Sequence, residues 1–261
     1  GRRTSVIIDA FSPPGGRAAL TAHASTGAFE MTSGRRPVIV SCGSGRTHGP
    51  DWRMASRATQ SHSVLCMDGS SSSRLSPGGE ALERRAVVTA SRLTPGTEGT
   101  DAYIAHDGWL ASHGLTAGRS LTLSHDGRRL TGVETLPALT AEAQRRFQDL
   151  MTLSMMQGAG FAIRFHLHPE VDARLDMADT AVSLALRSGE IWIFRPSGPA
   201  DLALEPSAYL EEGRLNPRPC LQIVLRGQAR GFETRIGWTL AKAKDTPLAI
   251  RDLEGIESVD A

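Results

Sequence analysis

Lysine is almost missing from this chain: Lys242 and Lys244 are the only two in 261 residues. The basic charge is therefore nearly all arginine, which suits bidentate partners such as carboxylate or sulfate but also follows from an arginine-rich genome. A formal net charge of +1 leaves no large one-signed surface and gives no reason to expect nucleic acid or an anionic membrane as partner. Cysteine is scarce and odd in number. Cys42, Cys66 and Cys220 show no CxxC or zinc-ribbon spacing, so they imply buried thiols and no disulfide framework. No apolar run approaches the ~20 residues of a membrane helix. No signal-like segment precedes TSVIID, and a start at Gly1 without methionine reads as a processed or excised piece. The GxSxG elbow, the GxGxxG fingerprint, the P-loop and the HExxH pair are all absent. GSGRTHG (43–49) offers Ser44 among glycines but no following helix pattern, so it reads as a turn. No repeat of solenoid or propeller period is present.

What remains is a strand-rich chain long enough to bury a large core. Short alternating or β-branched runs at 4–11, 26–33, 36–43, 62–69, 84–94 and 161–169 are punctuated by Gly, Pro, Ser and Asp. Residues 120–136 and 180–196 read as hairpins around Asp126-Gly127 and Ser188-Gly189, the first as a primed turn. Residues 220–243 give two more strands. Turn signals every 8 to 12 residues predict an all-β fold, a large antiparallel β-sandwich (supersandwich-like). One short helical insertion interrupts it: AEAQRRFQDLMTLSMMQG (141–158) places Phe147, Leu150, Met151 and Met155 at helical spacing, a helix covering a sheet edge. MDGSSSSRLSPGGE (67–80) reads as a long loop. Residues 1–244 form the domain, and 245–261 a loosely ordered tail.

Histidine is the informative polar residue. His166 and His168 stand two apart on a predicted strand, which puts both on one sheet face roughly 6–7 Å apart. Two ligands of one metal, two donors to a sugar, or simply an exposed polar face all fit that spacing. Arg164 shares their parity, so RxHxH forms a stripe suited to an acidic polysaccharide. His23 stands alone before a hairpin, as filler or as the remnant of a site.

Four blocks in order carry a resemblance: VIIDAFSPP (6–14), AHASTGAFEMTSGRRPVIVSCGSG (22–45), RMASRATQSHSVLCMDGSSSSRL (53–75) and RFHLHPEV (164–171). Together they resemble the C-terminal β-sandwich of the heparinase II/III-like family over most of the chain. The resemblance implies an N-terminal α/α toroid in the parent chain, with an acidic, uronate-containing polysaccharide or oligosaccharide bound between toroid and sandwich. It implies cleavage by β-elimination, with the catalytic tyrosine and the carboxylate-neutralising group supplied by the toroid, and a periplasmic or secreted location. It makes Arg57, Arg164, His166 and His168 candidate substrate-binding residues, and assigns no catalytic residue within this chain. The family's paired histidines fall on Thr21 and His23, its following aspartate on Ser25, and its two further zinc ligands on Ser41 and His62. His23 and His62 are thus candidate metal ligands of an incomplete zinc set, so no cofactor is expected. Three readings follow: the sandwich part of a lyase, inactive alone; a non-enzymatic carbohydrate-binding or assembly module; or a metal site on His23 and His62 with Cys42 replacing the lost carboxylate. His23 is expected to face His62 across the sheet.

Overall fold

A computed structural model describes residues 4–67, 69–76 and 80–243; the expected tail at 245–261 lies outside them. The chain runs β1 (Thr4–Ile8), β2 (Phe29–Ser33), β3 (Arg36–Val40), α1 (Pro50–Ser56), β4 (Leu65–Met67), β5 (Arg74–Leu75), β6 (Leu82–Arg84), β7 (Val88–Pro95) and β8 (Gly99–Trp109). It continues through α2 (Leu110–His113), β9 (Leu115–Ser124), β10 (Arg129–Pro137), α3 (Ala141–Leu153), β11 (Ala159–Leu167) and β12 (Asp172–Asp176). The last strands are β13 (Ala181–Ala185), β14 (Ile191–Ser197), β15 (Asp201–Tyr209), β16 (Arg218–Ala229) and β17 (Glu233–Lys242). All pairing is antiparallel. One sheet has the order β1-β2-β3-β11-β16-β15 with β4 also on β11, and the other β12-β13-β14-β17-β10-β9-β8-β7.

The two sheets meet face to face because their strands alternate. On β11, Phe161, Ile163, Phe165 and Leu167 point into the core, while Arg164 and His166 take the opposite parity. The centre is aromatic. Phe29 and Phe165 from one sheet meet Trp238 of the other, Phe29 stacked at 5.7 Å and Phe165 edge-on at 4.9 Å. Gly132 makes room: a Cβ there would stand 2.1 Å from the Trp238 ring. The Lys242 ammonium bonds Glu190 at 2.8 Å, and Ser33 of the facing sheet donates to the same carboxylate at 2.5 Å, so the sheets are also clasped through polar groups.

The expected sandwich is present, with local corrections. Helix α3 is capped by Thr140, whose hydroxyl accepts from Ala143 N at 3.1 Å, and it buries Ala143, Phe147 and Met151. It stops at Leu153, and Met155 is exposed with φ 50°, so Met155 does not extend the apolar face. Phe147 packs edge-on against Phe232, in the crossover from β16 to β17, so α3 covers an end where the chain changes sheets. A helix does follow GSGRTHG: α1 begins at Pro50, a residue preset for a first helical turn. Residues 67–80 are not wholly loop, since β5 pairs with β6. At Asp126-Gly127 only Gly127 takes positive φ (68°), in a four-residue connection. Asp126 instead accepts from Ser124 Oγ at 2.6 Å and Arg128 N at 2.9 Å, so the turn is not the primed two-residue type.

Candidate functional site

His23 and His62 come together, on loops rather than across a sheet. His23 lies in the connection between β1 and β2, and His62 follows a 3-10 turn at Thr59–Ser61. His23 Nδ1 stands 3.3 Å from His62 Nε2, with the rings edge-on at 5.2 Å. Two buried arginines fix this meeting. Arg57 Nε donates to Ala22 O and Nη2 to Ala19 O, both at 2.8 Å, and Nη1 donates to Glu80 O at 3.1 Å. Thr59 Oγ1 donates to Ala24 O at 2.7 Å, so the block RATQSHS staples the main chain on both sides of His23. From beneath, Arg119 of β9 pairs with Glu134 of β10 at 2.8 Å and donates through Nη1 to Gly27 O at 2.7 Å and Ser63 O at 2.8 Å. A single guanidinium thus holds both histidine loops.

Burial decides the charge of the pair. It pushes the His62 imidazolium down to about 3 and lowers His23 as well, against smaller opposing pulls from the Ser56 main chain and, at His23, Asp9. Both rings are therefore neutral near pH 7, one nitrogen of the contact donating and the other accepting. The half-buried His23 opens into a cleft of about 470 Å³, where hydroxyls and carboxylates gather. Ser25 Oγ donates to Asp9 Oδ2 at 2.6 Å, and Ser41 N donates to Glu30 Oε1 at 3.1 Å. No arginine or lysine is among the residues lining this cleft. Among the described residues no group of three His, Cys, Asp or Glu is arranged to hold a metal ion. Zinc takes three or four protein ligands, so these two imidazoles do not fit that ion.

The other candidates separate. His166 is 3% exposed, with Nδ1 2.9 Å from Ser207 Oγ and Nε2 2.9 Å from Gln60 O. Its amide donates to Ser63 Oγ at 2.9 Å, and burial lowers it to about 4. It is an internal strut behind His62, not part of an exposed stripe. His168 lies just past β11, its ring edge-on to Tyr209 at 5.2 Å. Arg164 remains on the outer parity of β11, with its positive charge beside Glu205. Arg57 is inside, held by backbone carbonyls. Cys42 touches His166 at 3.4 Å instead of the His23–His62 pair, and burial raises its thiol to about 12. Asp9, Glu30 and Ser207 join the site through tertiary contacts that carry no motif in the sequence. Nothing local to the Asp in VIIDAF marks which loop closes over it.

The comparisons agree with this architecture. The family model described as heparinase II/III-like, C-terminal, matches residues 1–239, so the chain belongs to that family. It is 33% identical over 259 residues to FtsZ-localized protein C of Caulobacter vibrioides, covering 94% of this chain and 42% of that protein. The chain therefore spans less than half the length of that relative. Heparan sulfate lyase HepC of Pedobacter heparinus matches with TM-score 0.65 and 12% identity, over 87% of this chain and 31% of its own. The heparinase III product BT4657 matches with TM-score 0.67 and 13% identity, over 93% and 33%. At such identities these two lyases speak for the fold.

Proposed function

We propose that this domain is a polysaccharide-binding module of a longer heparinase II/III-like protein and does not itself cleave. One observation carries the reading: the cleft at His23 offers neutral imidazoles, hydroxyls and carboxylates, and no cation lines it. That set of donors and acceptors suits sugar hydroxyls. β-Elimination at a uronate needs its carboxylate neutralised while the α-proton leaves, and nothing lining the cleft supplies that charge. Replacement of the family's first histidine of the pair and two carboxylates by Thr21, Ser25 and Ser41 agrees with lost chemistry. So does the greater identity to a relative named for its localisation with FtsZ than to the lyases. Such a module works where its polymer is, in the periplasm or outside the cell, and fractionation of the native protein tests that location.

The second reading is a lyase completed by an N-terminal toroid. It draws on His23, which is uncharged and half-exposed and so is competent as a base once another domain neutralises the substrate carboxylate. The intact protein is incubated with uronate polymers and followed by ultraviolet absorbance for unsaturated products, alongside calorimetric binding. Binding without new absorbance, weakened in His23→Ala, is the expected result. Unsaturated products would establish the lyase reading, while co-sedimentation with FtsZ polymers and no glycan binding would replace the polysaccharide by a protein partner.

A further inference from the structure

A second cleft, of about 790 Å³, is lined in part by the loops that carry the first. It has the size of small-molecule sites, ~300–1,000 Å³. The two draw on different residues of the same loops. Gly43 and Ser44 line the His23 cleft, while Arg46 and Gly49 of the same loop line the second; Leu20, three residues before His23, lines the second as well. This separating loop is held in place. Ser56 Oγ donates to Ser44 O at 2.9 Å, and at Gly45 (φ 63°) a Cβ would stand 2.5 Å from the Trp52 carbonyl.

The chemistry of the second cleft differs from that of the first. Arg46 and Arg53 are exposed and make no ion pair among the described residues. Several guanidiniums elsewhere on the surface are already committed to carboxylates. Arg226 pairs with Glu205, Arg214 and Arg218 with Glu211, and Arg187 with Glu170. Beside the two unpaired cations stand the apolar surfaces of Leu20 and Met54, and the acceptors Asp51 and Glu80. Forked guanidiniums match a carboxylate or sulfate, aliphatic surface covers the C–H face of a pyranose ring, and carboxylates accept from its hydroxyls.

We propose that this cleft is a subsite for an anionic sugar unit, its carboxylate or sulfate held by Arg46 and Arg53 while a neighbouring unit of the same polymer reaches the His23 cleft. The inference rests on the polysaccharide-binding reading and moves anion recognition away from Arg57, Arg164, His166 and His168. The test titrates polygalacturonate, dextran sulfate and neutral dextran into the intact protein and its Arg46→Ala/Arg53→Ala variant, with unfolding midpoints as the folding control. Glucuronate and inorganic sulfate are titrated separately while the arginine Nε–H resonances are followed by NMR. The expected result is a loss of about tenfold or more in affinity for the better anionic polymer. Neutral dextran affinity and the unfolding midpoint stay unchanged, and the Arg46 and Arg53 resonances move. A carboxylate preference identifies a uronate and a sulfate preference a sulfated sugar. Unchanged polymer affinity in the variant overturns the subsite and leaves the binding reading standing. Resonances that move while no polymer binds leave the anion site standing and remove the reading. Resonances that stay still with both anions overturn the subsite.

Discussion

Arginine does two jobs in this protein, and burial separates them. Arg57 and Arg119 are 2% and 3% exposed and spend their donors on main-chain carbonyls and Glu134, so they shape the loops that carry His23 and His62. Arg46 and Arg53 sit a few residues from Arg57 in the chain, yet are exposed and make no ion pair among the described residues. The difference teaches that the arginine of a motif is not necessarily the arginine that meets a ligand. A buried guanidinium turns its donors toward the protein's own acceptors and away from solvent, and even Arg119 Nη2, which has no hydrogen-bond partner, is buried out of a ligand's reach.

The contrast breaks most severely at Arg119. Glu134→Gln or Arg119→Met leaves one buried group without its counter-charge, and such losses cost about 3–5 kcal/mol. Denaturant unfolding measures it, and a change below 1 kcal/mol would mean the pair is dispensable. Acid attacks the same interior. His62, His106 and His166 have folded pKa values of about 3, 4 and 4, all lowered mainly by burial. The unfolded chain then binds protons that the folded chain refuses. Stability is full above about pH 6.5 and falls as pH drops toward 4, by up to about 3 kcal/mol per group. Unfolding midpoints that stay flat between pH 7 and pH 5 would contradict this.

Arg57→Ala removes three main-chain partners, at a cost of about 2 kcal/mol or more. It also loosens residues 19–24, seen as faster amide exchange at Ala22 and Ala24; unchanged exchange would show that Thr59 alone holds the loop. At Cys42 the effect is on rate. A thiol raised to about 12 resists alkylation at pH 8 in the folded protein and reacts on unfolding, whereas prompt labelling of Cys42 in the native state would contradict its burial against His166. The smallest stability effect belongs to Arg46→Ala and Arg53→Ala, within about 0.5 kcal/mol each, because both side chains are exposed.

Local periodicity made the sandwich legible. The alternating runs at 26–43 and 161–169 and the hairpin signals fall on strands, because half-buried strands write their burial into every second residue. Strand β8 was not read, since GTDAYIAHDGW places Asp101, His106 and Asp107 among its apolar residues. Strand β15 escaped for a related reason: Pro206 argues against a strand interior, but β15 is a sheet edge, where proline is tolerated. The His23–His62 meeting was legible only through the resemblance, because the two residues lie on separate loops and no spacing rule joins them. Arg57 and His166, expected as substrate-binding candidates, turn inward instead, since a sequence motif does not state on which side of the backbone its polar atoms find partners. Asp9 and the Arg46–Arg53 cleft depend on how loops 9–28 and 41–49 fold back, a tertiary matter that neither composition nor period encodes.

The partition between arginines that build and arginines that bind is tested most directly by the affinity of Arg46→Ala/Arg53→Ala for an anionic polysaccharide, measured where its unfolding midpoint equals that of the parent. The expected result is a loss of about tenfold or more with folding intact. An affinity equal to that of the parent would contradict the assignment and return anion recognition to another part of the surface.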